Sequence, residues 1–215
     1  MPSAAGNKWI KPMLSTGEYA DVHFLVGDGD EKELVPAHKL ILKNASDVFA
    51  AMFRFDSQNA NAENASTNCP VVEITDVEPS AFKVILSFIY AEDLSELNGG
   101  NAMAVLYAAE KYHIHGLVRP CFDVPISELP DVFFAYSIMT RLFRFGIYSS
   151  YFAIGCLSYI DQNADTLLKS EEFLQIDQNF LCKILERNEL KICEEILIWK
   201  AVMRSLLHAL GISRS

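Results

Sequence analysis

DVHFLVGDGDEKELVPAHKLIL, residues 21–42, decides the fold. In its first apolar run both alternating sets avoid charge, Val22, Phe24 and Val26 on one side and His23 and Leu25 on the other, so the spacing predicts a strand covered on both faces. GDGDEK supplies turn residues. ELVPA then reads as the returning strand of a β-hairpin, ended by Pro36 because proline cannot donate to a central ladder. After Pro36 the period lengthens to that of a helix: Leu40, Ile41 and Ala45, then Ser46 as an N-cap with Asp47 in the first turn, and Val48, Ala51 and Met52 along one face. The expectation is a helical hairpin packed under a β-hairpin.

On the amino-terminal side, residues 1–18 read as a polar, disordered arm. On the other side, RFDSQNANAENASTNCP (54–70) has no periodic apolar set and predicts a long loop, and VVEI (71–74) a third strand. Pro79 suits a helix start, followed by Phe82, Ile85, Leu86 and Ile89 at helical spacing. Asn101 can cap a second helix that turns Ala102, Val105, Leu106, Ala109 and Tyr112 inward. Pro120, Pro125 and Pro130 then interrupt the helical pattern and mark a boundary, placed at 126/127. Beyond it the segments 131–144, 147–161, 164–174, 178–187 and 191–210 read as helices. Ser170 caps the third, and the last carries Ile192, Ile196, Trp199, Met203, Leu206 and Leu210 at helical spacing before Gly211.

A chain of 215 residues, 51% apolar and 21% charged, is long enough for two modest domains with real cores. Its net charge of -10, without a basic cluster, argues against nucleic-acid binding. Cys69, Cys121, Cys156, Cys182 and Cys193 show no CxxC spacing, which fits buried thiols in a reducing compartment. The amino terminus has no apolar stretch of the secretory kind, so neither secretion nor glycosylation at Asn44 or Asn64 is expected. Phe145–Ile160 is uncharged but too short to span a bilayer, so no membrane partner is expected.

Catalytic constellations are lacking: no GxSxG, HExxH or Walker sequence occurs, and GDGDEKE fails as an EF-hand because Glu33 stands where a glycine is needed. His113 and His115 would share a metal only on a strand, and polar residues at a helix end are the better reading. His38, at a helix start with no carboxylate or nucleophile beside it, suits a buried imidazole bonded to backbone rather than a general base. The reading is therefore a non-enzymatic protein with no cofactor and no metal site.

DVHFLVG, VPAHKLILKNASDVFAAMF, VEITDVEPSAFKVILSFIY and VLYAAEKYHI, in this order, resemble a BTB (POZ) domain over residues 19–126. CLSYIDQNADTLLKSEEFLQID and QNFLCKILERNELKICEEILIWKAV are similar to the helical BACK region, placed at 127–215 and nearest to BTBD-type BTB-BACK-PHR proteins. The PHR β-sandwich of those relatives is missing here, so a fragment, a shortened gene product or a divergent paralogue is expected.

The resemblance implies an α+β BTB/POZ domain, a small sheet covered by helices, followed by an all-α BACK region. It also implies a homodimer whose interface includes Asp21, His38, Lys39, Leu40 and Phe49. The same resemblance implies an adaptor that binds cullin-3 and presents a protein substrate for ubiquitylation, in the cytoplasm with the nucleus as a second location. The cullin face would comprise Phe53, Arg54, Phe55, Asn101, Tyr112 and Ile114.

Three stretches depart from the family pattern. The loop after Ala51-Met52-Phe53 is longer and more polar than usual and lacks the hydrophobic-x-Glu element, since Glu63 follows Asn61 at that spacing. HGLVRPCFDVPISELP carries prolines where a longer helix is normal, and RLFRFGIYSSYFAIG is unusually aromatic. The alternative reading is a BTB scaffold or transcriptional co-regulator that dimerises without cullin. A channel tetramerisation domain fits worse, because no membrane span follows.

Overall fold

The computed structural model describes residues 7–59, 69–142, 147–192 and 194–209, and the chain divides into two compact units, 1–124 and 125–215. The first unit opens with helix α1 (Asn7–Thr16), followed by β1 (Val22–Val26), β2 (Glu33–Ala37), α2 (Lys39–Ala45), α3 (Asp47–Asn59), β3 (Val71–Ile74), α4 (Pro79–Ala91), α5 (Ala102–Lys111) and α6 (His115–Asp123). The second contains α7 (Val132–Leu142), α8 (Ile147–Gln162), α9 (Ala164–Leu167), α10 (Gln178–Leu185) and α11 (Glu195–Ala209). The fold is thus a small sheet with many helices, followed by an all-helical region.

The sheet runs in the order β2-β1-β3. β1 pairs antiparallel with β2, from Val22 opposite Ala37 to Val26 opposite Glu33, and parallel with β3, from His23 beside Val71 to Val26 beside Ile74. The parallel pair needs a crossover, and α2 and α3 supply it. Between β1 and β2 the chain makes one 3-10 turn, Gly29–Glu31, which works because Gly27 and Gly29 take φ of +112° and +57° and the Asp28 carboxylate accepts the Gly29 N–H at 2.8 Å.

Val22, Phe24 and Val26 are fully buried, and Phe24 leads an aromatic core with Phe49, Phe53, Phe82 and Tyr112. The rings of Phe49 and Tyr112 stack with centroids 4.5 Å apart and planes 6° apart. Burying each such side chain stabilises the fold by roughly 1.5–3 kcal/mol. The other face of the sheet departs from the expected double cover: His23 and Leu25 are half-buried, while Leu34 and Val71 on that face are exposed. Alternation of side chains along the strands places the aromatic layer on one side alone.

Several other elements differ from expectation. Residues 7–16 form α1 rather than a disordered arm, because Met13 and Leu14 are half-buried and the helix packs against α4. Gly17 ends it at φ +65°, donating to the Met13 carbonyl at 3.0 Å. α3 continues to Asn59, into the stretch read as a loop; residues 60–68, including Asn61 and Glu63, lie outside the described residues. α6 runs through Pro120, which costs a helix one internal N–H but does not end this nine-residue segment. Pro125 does stop it, standing ahead of the 3-10 turn Ile126–Glu128.

The second unit packs Phe133 against Phe173 (5.8 Å) and stacks Tyr136 on Phe180 (4.4 Å). Asp177 caps α10, accepting the Phe180 N–H at 2.8 Å. Gly155 of α8 lies close to the 3-10 turn: a Cβ there would lie 2.6 Å from the end of the Ile126 side chain, which would have to shift. Asp161, buried, takes a bidentate pair of bonds from Arg187 at 2.7 and 2.5 Å.

Of the apolar stripe on the last helix, the described members of α11 face outward, and Leu210 lies outside the described residues. Trp199 is 71% exposed, and Ile196, Met203 and Leu206 are also exposed, whereas Ala201 and Ser205 are buried. Small residues let α11 approach its own unit on that side, and Arg204 anchors it by donating to the Lys169 carbonyl at 2.8 Å and the Glu171 carboxylate at 3.0 Å.

Candidate protein-interaction surfaces

At the junction of β1 and α2, Asp21, His38 and Lys39 come together as the sequence suggested, each with a defined structural task. His38 stands at the N-cap position of α2 but makes no side-chain cap bond. The exposed Asp21 carboxylate does this instead, accepting the Lys39 N–H at 2.7 Å, where a negative charge also suits the helix dipole. The Lys39 ammonium lies 5.9 Å from the centre of the Phe53 ring, a cation–π distance.

The His38 ring is 6% exposed and bonded at both nitrogens. Nε2 lies 2.8 Å from the Glu18 carbonyl, which can only accept, so Nε2 carries the proton and Nδ1 accepts from the Tyr90 hydroxyl at 2.8 Å. The same hydroxyl accepts the His38 N–H at 2.9 Å. His38 therefore locks α2 to α4 and to the end of the arm, as expected of a buried imidazole, and offers no free group to a partner. Burial pushes the Tyr90 phenol up to about 12, with Asp21 adding to the shift and the His38 N–H opposing it.

Cys69 belongs to the same neighbourhood, its Sγ 2.9 Å from His23 Nδ1. Burial raises its pKa, Asp21 raises it further and Lys39 opposes, so the thiol is held neutral. Cys69, Cys121, Cys156 and Cys182 are all free thiols; Cys193 lies outside the described residues.

Of the residues assigned to a dimer interface, Leu40 is 65% exposed and Asp21 is exposed, but Phe49 is fully buried. Phe49 is a core residue and a correction is needed: its ring is committed to Tyr112, Phe24 and Phe82. The same correction applies to Phe53, Tyr112 and Ile114, which are 6%, 1% and 5% exposed and cannot contribute contact area to a cullin face. Asn101 is half-buried and does not cap α5; its side chain accepts the Asn98 N–H at 2.9 Å and donates to the Glu96 carbonyl at 2.8 Å, which shapes the turn before the helix. Arg54 and Phe55 are exposed, Arg54 donating through Nε to the Ala50 carbonyl at 3.1 Å.

Sequence reasoning missed Tyr19, which sits at φ +62° and is largely exposed, and Phe134 in the second unit, whereas the exposed Tyr151 and Ile154 lie in the unusually aromatic stretch RLFRFGIYSSYFAIG. Tyr151 and Ile154, three residues apart on α8, gave a signal in the uncharged run around them. His113 and His115 are not on a strand: His113 has φ +54° and bonds Asp47 at 3.0 Å, and its ring stacks on His115 at 5.8 Å. Among the described residues no group of three or more His, Cys, Asp or Glu is placed to hold a metal ion, and no helix is long and apolar enough to cross a membrane.

A hairpin with a parallel third strand, a helical crossover capped by the preceding strand, and a following helical region define a BTB (POZ) domain joined to a BACK domain. The BTB/POZ domain family model matches residues 10–129, and the "BTB And C-terminal Kelch" model matches residues 150–212. The chain belongs to the BTB/POZ family, in its BTB-BACK branch of protein-interaction adaptors. It is similar to BTB/POZ domain-containing protein 6-A of Danio rerio (35% identical over 193 residues, covering 89% of this chain and 33% of that protein). Similar likenesses hold for protein 6 of Homo sapiens (33% over 192 residues, 89% and 33%) and protein 3 of Homo sapiens (32% over 192 residues, 89% and 34%). The chain thus spans about a third of the length of the curated relatives it matches. Among solved structures it overlaps the BTB domain of zebrafish PATZ1, with 21% identity, a TM-score of 0.42 and coverage of 55% of this chain and 86% of that one.

Proposed function

We propose that this chain is a non-enzymatic adaptor that forms a homodimer through its BTB domain and holds cullin-3, so that a protein bound elsewhere is presented for ubiquitylation. The observation that supports this best is the succession of a BTB and a BACK domain in one chain. Leu40, beside Asp21 and Lys39, gives the dimer its exposed apolar contact, and Arg54 with Phe55 near the end of α3 gives cullin a cationic and aromatic one. Neither surface needs a cofactor, and the adaptor works in the cytoplasm.

A BTB scaffold or transcriptional co-regulator that dimerises without cullin is favoured by one observation: Phe53, Tyr112 and Ile114, half of the expected cullin face, are buried in the domain core. Calorimetric titration of the chain with the amino-terminal domain of cullin-3 separates the two. Submicromolar binding, weakened at least about tenfold by Phe55→Ala, is the adaptor result. A folded dimer that gives no heat with cullin-3 refutes it and leaves the scaffold.

A further inference from the structure

The corner between α5 and α6 presents two imidazoles. Tyr112 and Ile114 are buried there while His113 and His115 are exposed, so burial alternates residue by residue through the turn. On a helix, rings two residues apart point to different faces. Here they come together, because His113 takes a left-handed φ of +54° just past the end of α5 and Ile114 turns into the core between them. Backbone and side-chain bonds hold this corner in place. The His113 N–H donates to the Glu110 carbonyl at 3.2 Å, the Ile114 N–H to the Ala109 carbonyl at 2.8 Å, and the Tyr112 carbonyl accepts the Ser46 hydroxyl at 2.6 Å.

The ring centres of His113 and His115 lie 5.8 Å apart, with planes 16° apart. An ion held at about 2.0–2.1 Å by an imidazole nitrogen lies about 3 Å from the ring centre, so two imidazoles sharing one ion have centres about 4.5–6 Å apart. The observed spacing meets that requirement without any movement of the backbone. Both side chains are exposed and can turn to aim their lone pairs at one point. Asp47, in the first turn of α3, adds a second feature. Its carboxylate only accepts, so His113 donates to it from Nδ1 at 3.0 Å, which leaves the lone pair on Nε2. Metal-ligating histidines are oriented in this way by an outer carboxylate. Among the described residues neither ring has a further hydrogen bond to give up.

We propose that this corner is a metal site: His113 through Nε2 and His115 together bind one divalent transition-metal ion of the zinc class, and Asp47 orients His113 from outside the coordination shell. Imidazole nitrogens select such ions over Mg2+ and Ca2+, which require oxygen ligands. Water completes the coordination, so binding is moderate and reversible. The ion joins the α5–α6 corner and, through Asp47, the start of α3. None of these three residues belongs to the Leu40 or the Arg54 and Phe55 surfaces, so the site depends on neither dimer formation nor cullin binding.

The test is a calorimetric titration of the full chain with Zn2+ at neutral pH, with Mg2+ as the control ion. Saturable Zn2+ binding with a Kd below about 100 µM is expected, and none of Mg2+. His115→Ala and His113→Asn each weaken it at least about tenfold; asparagine tolerates the left-handed backbone at position 113, so the fold is kept. Asp47→Asn weakens it about tenfold, as loss of an outer carboxylate does. On the unaltered chain, the imidazole resonances of His113 and His115 shift with Zn2+ while those of the buried His38 stay in place, which reads the same contact if a variant does not fold. Zn2+ held by the free thiols instead is insensitive to all three substitutions. Full affinity in any of the three variants overturns the proposal, as do unmoved His113 and His115 resonances or no saturable binding up to about 1 mM Zn2+.

Discussion

Tyr90→Phe removes a single oxygen from the first unit and unties α4 from the start of α2. The hydroxyl donates to His38 Nδ1 at 2.8 Å and accepts the His38 N–H at 2.9 Å, and both residues are buried. Without it one buried acceptor and one buried donor lose their partners, and no water-sized group replaces them in the phenylalanine variant. An unsatisfied buried group costs about 1–3 kcal/mol, and with partial relaxation of the pair the loss is about 2–4 kcal/mol. Typical domain stabilities are about 5–15 kcal/mol, so the change removes a large fraction of the total. Urea unfolding followed by circular dichroism reads it directly. With a slope of about 2 kcal/mol/M, the midpoint of the first unit falls by about 1–2 M with the slope unchanged. A double-mutant cycle with His38→Ala then gives a coupling of about 1–3 kcal/mol. A midpoint within about 0.2 M of the parent refutes the reasoning, since it means that the hydroxyl is solvated or His38 is repartnered without cost.

Leu40→Glu places a charge on an exposed helix residue, so stability changes by no more than about 0.5 kcal/mol while light scattering after size exclusion shows the dimer converted to monomer; a dimer that persists sinks the role given to Leu40. Phe49→Ala instead costs about 3–5 kcal/mol and unfolds the domain, because Phe49 is core and not interface. Alkaline pH is the weak side of the fold. Burial pushes Tyr90, Cys121 and Cys156 to about 12 from ordinary values of 10.0 for the phenol and 9.0 for the thiols. Between those values and 12 the unfolded chain releases protons that the folded chain keeps. Stability is therefore full below pH 9 and falls by about 1.4 kcal/mol per pH unit for each thiol above pH 9 and for the phenol above pH 10; a urea midpoint equal at pH 8 and pH 11 contradicts this. In the second unit, Asp161→Asn takes the buried carboxylate from the partly exposed Arg187 and costs about 1–3 kcal/mol, read as a lower thermal midpoint for the BACK helices; an unchanged midpoint shows the pair to be hydrated.

What was legible in the sequence was local. VHFLV, ELVPA and VVEI carry their strand signal in a few residues, and Ser46 is a cap by its own chemistry: its hydroxyl accepts the Phe49 N–H at 3.2 Å. His38 could be recognised as a buried imidazole because nothing reactive lies beside it. The candidate interface was harder, because family position says which segment a partner approaches and not which side chains point out of it. Phe49, Phe53 and Tyr112 lie near the expected surfaces in sequence, yet they belong to one aromatic cluster assembled from distant helices. The direction of the stripe on α11 was not legible for a related reason: helical spacing fixes that Ile196, Trp199, Met203 and Leu206 share a side, while Ala201 and Ser205 decide which side packs. Asn101 was misread because its side chain satisfies the turn before the helix rather than the helix itself. The residues of α1 were discounted because a polar terminus with a proline reads as coil, and only their packing on α4 overrides that.

The Ser46 hydroxyl, which caps α3, also donates to the Tyr112 carbonyl at 2.6 Å. That bond ties the corner between α2 and α3 to the far end of α5, across a large part of the domain's sequence. Together with the parallel pairing of β1 to β3, it means that the hairpin and the helical pair, each complete in its local contacts, are sealed to the rest of the domain only by segments made after them. The long-range closure of the domain thus waits on β3 and α5.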